Sequence, residues 1–190
     1  MHAARSSPNN ASDTQERMMS APILEVPLET VSDVTADLKL ALRRLAKAVV
    51  VITVRHEGQR YAMAATAVDA LSMEPPSLLA CVNKTASIHR AMTEASHFAI
   101  NILAREHEDL SHHCGGRSKG EERFALGEWE DDGAAPILAD AQAAIICRSD
   151  AQFEYGTHSI FVGIAEQVRT HGTVNPLVYV DGRYTGSMLD

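Results

Sequence analysis

The 190 residues contain no G-x-G-x-x-G, no G-x-x-x-x-G-K-[ST], no H-E-x-x-H and no G-x-S-x-G. Those absences remove the usual dinucleotide-fold, P-loop, metalloprotease and serine-hydrolase readings. No apolar run approaches the roughly 18–20 residues that cross a bilayer. The opening "MHAARSSPNNASDTQERMMSAP" lacks the hydrophobic segment of a secretory signal. Cysteine is scarce and odd in number, with Cys81, Cys114 and Cys147 far apart and no C-x-x-C. That pattern points to reduced thiols in a cytoplasm and away from a disulfide framework. Basic charge is in deficit, 17 Lys and Arg against 25 Asp and Glu. A net charge of −8 argues against sequence-independent nucleic-acid binding, which needs a basic surface.

What is present suits one domain with a real core, since 45% of the residues are hydrophobic and 22% charged. Residues 1–30, rich in Ser, Asn, Ala and Pro, read as a flexible N-terminal arm before a folded domain over 31–190. In "ADLKLALRRLAKAV", Leu38, Leu42, Leu45 and Val49 recur at near-helical spacing. "VVVITVRHEGQRYAMAATAVDALSM" predicts two strands turning at Glu57-Gly58. Glu74-Pro75-Pro76 should then break the ladder, because proline lacks a donor. "SLLACV" has no polar side chain inside it and reads as a strand buried on both faces. "SIHRAMTEA" suggests a short helix, "HFAINIL" a strand, and "EHEDLSHHC" a helix with its charges outward. Residues 115–136 are polar and Gly-rich, a long loop with Phe124, Leu126 and Trp129 as anchors. "AAIICRS", "AQFEY", "HSIFVGIAEQV" and "PLVYV" add four strands. Seven or eight strands joined mostly by turns, with three short helices, make a mostly β protein. A closed or split antiparallel barrel fits better than any βαβ fold.

No side chains form a recognisable triad, and the paired carboxylates Glu121-Glu122 and Asp131-Asp132 read as solvated charge. His112-His113-Cys114, near His107, looks metal-like, but adjacent ligands do not converge easily on a tetrahedral ion, so no metal is expected. The informative block is "AMAATAVDALSMEPPSLLACVNKTAS". Its small residues Ala64, Ala65, Thr66 and Ala67 let a flat ligand approach the backbone. Asn83, Lys84, Thr85 and Ser87 stand at a strand-to-helix junction, either as a phosphate cradle or as a hairpin with an N-cap. In "GTHSIFVGI", His158 opens a period-two row with Ile160, Val162 and Ile164, opposite Ser159, Phe161 and Gly163. That imidazole is either a half-exposed strand end or part of a ligand site.

Taken in order, "ALRRLAKAVVVIT", "ATAVDALSMEPPSLLACVNKTAS", "FAINIL", "EERFAL", "GTH" and "LVYVDGRY" resemble the short-chain flavin reductases, from about Asp37 to Tyr184. These are the small components of two-component flavin monooxygenases, such as the 4-hydroxyphenylacetate, phenol and chlorophenol monooxygenase reductases. The resemblance implies an FMN-binding split barrel, a homodimer with flavin near the subunit interface, and hydride transfer from NADH or NADPH, with NADH favoured, to FAD or FMN. A separate monooxygenase of aromatic breakdown would receive the reduced flavin. Thr66, Ala67, Val68, Asp69, Ala70 and Ser72 would line the isoalloxazine and ribityl chain. Cys81, Val82, Asn83, Lys84, Thr85 and Ser87 would hold the phosphate. His158 and Tyr184 would meet the nicotinamide, and no side chain would be catalytic, because the cofactors carry the chemistry. "HHCGG" departs from the family's aromatic version, with Cys114 where relatives commonly carry Phe. The alternatives on the same fold are an oxidase or reductase with tightly bound FMN, and a non-enzymatic flavin- or haem-binding module.

Overall fold

The computed structural model describes residues 28–131 and 133–186. Most of the expected N-terminal arm therefore lies outside the described residues. By internal contacts the chain divides between Leu42 and Arg43. The first unit contributes helix α1, Leu28–Leu42. The periodic stripe read through Leu45 and Val49 stops there. Lys47–Ala48 instead forms strand β1, paired with residues 178 and 179, and the Val49 N–H donates to Leu177 O at 2.8 Å. Val49 opens a run of three valines, whose stiff branched side chains favour an extended backbone.

In the second unit β2 (Val50–His56) and β3 (Gln59–Ala65) form the expected hairpin. Glu57 and Gly58 both adopt positive φ, 49° and 76°, as a two-residue turn matched to strand twist requires. β3 does not run on as predicted: the chain breaks at Thr66-Ala67 and resumes as β4, Val68–Met73. Glu74 and Pro75 make a tight turn, and Pro76 begins β5, Pro76–Asn83, so the prolines shape a hairpin and do not end the sheet. β5 buries Ser77, Ala80 and Val82, while Leu78, Leu79 and Cys81 are half-exposed, against the expectation of two buried faces. Helix α2 is His89–Glu94 and β6 is His97–Ile102. A 3-10 turn, Arg105–His107, leads into helix α3, Glu108–His112. His107 is buried there, unlike the outward charges predicted, because its Nδ1 accepts the Ala104 N–H at 3.1 Å.

Strand β7 (Trp129–Glu130) interrupts the expected loop and pairs with β8 (Ile137–Leu138), just past the loop's end. "AAIICRS" and "AQFEY" are one strand, β9 (Ala143–Tyr155), which a bulge opposite Val162/Gly163 bends without ending. β10 is His158–Thr170, β11 is Leu177–Val180, and β12, Arg183–Gly186, was not anticipated. The twelve strands among the described residues exceed the predicted tally. No helix among the described residues is long and apolar enough to cross a membrane.

Seven strands form one antiparallel sheet in the order β3-β2-β6-β9-β10-β5-β4. Laid flat, its edge strands would stand about 29 Å apart at the usual strand spacing. The chain nevertheless passes from edge strand β3 to edge strand β4 through Thr66-Ala67 alone. Three residue steps reach at most about 11 Å. The sheet therefore curls until its edges nearly meet, and Thr66-Ala67 marks the seam. Inside lie Ile52, Val54, Val82, Phe98, Ile100, Cys147 and Phe161, with Ile88 and Met92 of the α2 region packed against them. Val51, Leu103, Leu110, Phe124 and Leu138 form a second cluster on the other face of β2. The two buried faces explain the unbroken run "VVVITV".

Gly163 sits where this interior is tightest: a β-carbon there would meet Phe98 Cζ at 2.5 Å and Cys147 Cβ at 2.7 Å. Gly163→Ala is expected to cost about 2 kcal/mol through overpacking and to lower the melting temperature by about 5 °C, as thermal denaturation would read.

Candidate functional site

The seam gathers part of the small-residue block. The Cys81 N–H donates to Ala67 O at 2.8 Å, fixing β4 against β5 just where the edges approach. Beside it opens a cleft of about 190 Å³, lined by Val49, Ala64, Ala65, Thr66, Ser111, Gly115, Tyr179 and Tyr184. One wall is made of small side chains, and a β-carbon on Gly115 would find only Ala64 Cβ, at 3.9 Å. The other wall is aromatic. Tyr184 packs edge-on against Tyr179, 5.1 Å between ring centroids, and against His112, 4.9 Å. Its hydroxyl shares a 2.9 Å hydrogen bond with Ser111 Oγ. Two such walls define a slot for a flat ring.

"EERFAL" fixes the segment that carries Gly115. The Arg123 guanidinium donates to Ser118 O at 3.0 Å and to Ala62 O at 2.5 Å, and Phe124 is buried against Trp129 at 5.0 Å. Cys114 is buried in the same cluster with its thiol pushed up to about 11 by desolvation, so it packs as a small apolar group. His113 turns to Ser118, and His107 Nε2 lies 3.2 Å from Asp140 Oδ2. Among the described residues no group of three or more His, Cys, Asp or Glu is placed to hold a metal ion.

The phosphate block lies along β5 from the seam. Asn83 stands about 10 Å beyond Ala80, the partner of Val68. Asn83 Oδ1 accepts from both the N–H and the hydroxyl of Thr85, at 2.9 Å each, which folds Asn83–Thr85 into a compact turn. Ser87 is exposed and caps nothing, since Ile88 holds the N-cap position of α2 without a side-chain bond. No side chain caps α2, so the N-cap of the plain reading does not form. Lys84 Nζ lies 2.7 Å from Glu154 Oε2, a hydrogen bond that holds the Glu154 carboxyl below its usual range.

His158 pairs directly with Asn83 across β10 and β5, and the Lys84 N–H donates to Thr157 O at 2.9 Å. The imidazole is exposed, its Nδ1 2.8 Å from Thr157 Oγ1. The opposite row, Ser159, Phe161 and Gly163, is the buried one. The aliphatic row that His158 opens is thus the outer face of the barrel, shared with Cys81 and Asn83 on β5.

The structure brings some of the predicted residues together in two groups and leaves others apart. Thr66 joins Tyr184 at the cleft, and His158 joins Asn83, Lys84, Thr85 and Ser87 at the end of β5. Val82 points into the core and offers only its backbone. Asp69 is engaged by Lys47 Nζ at 3.0 Å, whose hydrogen bond lowers the carboxyl's pKa. Ser72 Oγ is committed to both backbone groups of Glu74, at the far end of the hairpin opposite Ser77. Ala70, on exposed β4, lies towards that end. Ser111 and Tyr179 line the cleft and carry no mark in the sequence reading, whereas His112 and Gly115 enter it only through the metal-like cluster and "HHCGG". The one local signal for Ser111 is an uncharged serine in a mostly charged helical segment.

A small, curled antiparallel barrel with a planar slot at its seam is the class defined by these features. A protein-family model for the flavin reductase like domain matches residues 42–187, and the chain belongs to that family. It is 37% identical over 149 residues to the reductase component of FADH(2)-dependent resorcinol hydroxylase from Rhizobium sp. (strain MTP-10005), covering 77% of this chain and 83% of that one. It is likewise 37% identical over 150 residues to FMN reductase (NADH) RutF of Variovorax paradoxus (strain S110), covering 78% and 83%. Among solved structures it is similar to BorF, the flavin reductase component of a bacterial two-component tryptophan halogenase. That match has a TM-score of 0.74 and 27% identity over 80% of this chain and 97% of the other. The FMN-binding split barrel expected from sequence is therefore the fold.

Proposed function

We propose that this chain is an NAD(P)H-dependent flavin reductase that reduces FAD or FMN, with NADH the favoured donor, and hands the reduced flavin to a separate monooxygenase of aromatic breakdown. The observation that carries the reading is the slot at the seam, with small residues on one side and Tyr184 on the other, in a family of flavin reductases. The cofactors supply the redox chemistry when bound, with the pyridine nucleotide giving hydride and the flavin ring accepting it. The protein's task is geometry. Ala64, Ala65 and Gly115 let a planar ring lie against backbone, and Tyr184 closes the slot. Ser87 offers a hydroxyl and Lys84 its remaining ammonium donors to a phosphate along β5, and Thr85 joins them when its hydroxyl turns from Asn83 Oδ1. His158, exposed beside that turn, orients the pyridine nucleotide by hydrogen bonding or stacking. A grip with so few charged clamps suits micromolar binding, about −8 kcal/mol, and release of product.

The homodimer belongs to this reading. The outer face that begins at His158 continues through half-buried Ile160 and Val162 to Phe153 and Tyr155, 59% and 84% exposed. An apolar strip of that kind suits a second copy of the chain. A cytoplasmic location also belongs to it, since Cys81, Cys114 and Cys147 are free.

The test follows NADH absorbance with FAD, with FMN and with neither, then repeats it with NADPH. Oxidation that requires added flavin after dialysis is expected. Failure to oxidise either nucleotide with any flavin overturns the reading, and flavin surviving dialysis favours a resident FMN. His158→Ala should raise the KM for NADH about tenfold, the worth of roughly one hydrogen bond, with flavin affinity unchanged. Steady-state kinetics showing neither KM altered would remove His158 from the site.

A further inference from the structure

We infer that Ser111 is a positioning residue, which through the hydroxyl of Tyr184 holds that ring as the aromatic wall of the slot. The inference rests on the flavin reductase reading above. Ser111 is fully buried at the end of a five-residue helix, beside the apolar Leu110 and Cys114. Alanine would serve a helix there better and would bury no polar atom. The hydroxyl's one side-chain partner is Tyr184 Oη, at 2.9 Å.

Tyr184 needs that partner because of where it sits. β12 is the edge of a three-stranded sheet, β1-β11-β12, and its ladder bonds reach only β11. Tyr179 of β11 meets the ring edge-on at 5.1 Å, and among the described residues the phenol hydroxyl is held from the other side by α3. From α3, Ser111 holds the phenol oxygen, while His112 meets the ring edge-on at 85°. The bond therefore sets the width of the slot between Tyr184 and the wall of Ala64, Ala65 and Gly115. A ring held in advance costs a planar ligand less on binding than one that must be ordered each time. Ser111 never needs to touch that ligand.

A double-mutant cycle tests this with Ser111→Ala, Tyr184→Phe and the pair. Each single variant should raise the KM for NADH, the Kd for flavin, or both, three- to tenfold, with kcat within about twofold of wild type. The pair should be no worse than either single variant, because both remove the same bond. Flavin Kd is read by quenching of isoalloxazine fluorescence and needs no turnover. Effects that multiply in the pair overturn the inference. So does Ser111→Ala with a lowered melting temperature and wild-type constants, which is a merely structural serine. If wild-type protein binds flavin but oxidises no NADH, the reductase reading falls and the fluorescence cycle still decides the role of Ser111. If it binds no flavin, both fall.

Discussion

Gly115→Trp is expected to abolish flavin reduction while leaving the fold intact. Gly115 is exposed and lines the slot, and a β-carbon placed on it meets nothing nearer than Ala64 Cβ at 3.9 Å. Its backbone is not in the left-handed region, so a larger side chain carries no conformational penalty there. An indole directed into a cleft of about 190 Å³ takes the space that a flat redox ring must occupy. A loss of at least about 100-fold in kcat/KM is expected, equivalent to some 2.7 kcal/mol of transition-state binding. The melting temperature should stay within about 2 °C, as for other surface substitutions that break no buried contact. Gly115→Ala is the control and should keep near-normal turnover, since its β-carbon makes only ordinary contact. Wild-type kinetics in Gly115→Trp would show that the ring does not enter this cleft.

The features legible in the sequence were those written locally. Glu57-Gly58 announced its turn because only a few residue types accept two consecutive positive φ values. "NKTAS" announced a turn because Asn83 has an oxygen at the right distance for Thr85. The alternation in "HSIFVGI" fixed which side chains share a face, yet not which face is buried, since both rows are largely apolar. What escaped depended on partners distant in sequence. The break at Thr66-Ala67 carries no proline or glycine. It exists because the barrel must close there, a constraint set by five other strands. β1, β7 and β8 are two residues long and owe their conformation to their neighbours and not to propensity. "AAIICRS" and "AQFEY" read locally as two strands parted at Asp150, whereas a bulge absorbs that extra residue within β9. Ser111 and His112 were grouped with a charged helix face. They belong to the slot only because β12, itself unforeseen, lies against α3.

Asn101→Ala should be the most destabilising of the substitutions considered. Asn101 is fully buried on β6, and every arm of its amide is used. Nδ2 donates to Val51 O at 3.0 Å and to Thr53 Oγ1 at 3.2 Å, and Oδ1 accepts the Leu138 N–H at 2.8 Å. Thr53 passes the connection on by donating to Pro136 O at 2.5 Å. One amide thus ties β2 and β6 to β8, beneath the covering segment that carries Gly115 and Phe124. Truncation leaves the Leu138 N–H without a partner in a dry interior and opens a small void. Together these cost about 3–5 kcal/mol, a large share of the roughly 5–15 kcal/mol that holds a domain together. The melting temperature should fall by about 10 °C. Asn101→Asp keeps the acceptor for Leu138 but replaces both donors by a buried charge. Burial raises the pKa of such a carboxyl above its unfolded value, so the folded state binds the extra proton. That variant should therefore be weaker at alkaline than at mildly acid pH, where protonation restores one O–H donor. Urea unfolding at the two pH values reads both effects. Equal midpoints for Asn101→Ala and the wild type would mean that the covering segment is held by its apolar contacts alone.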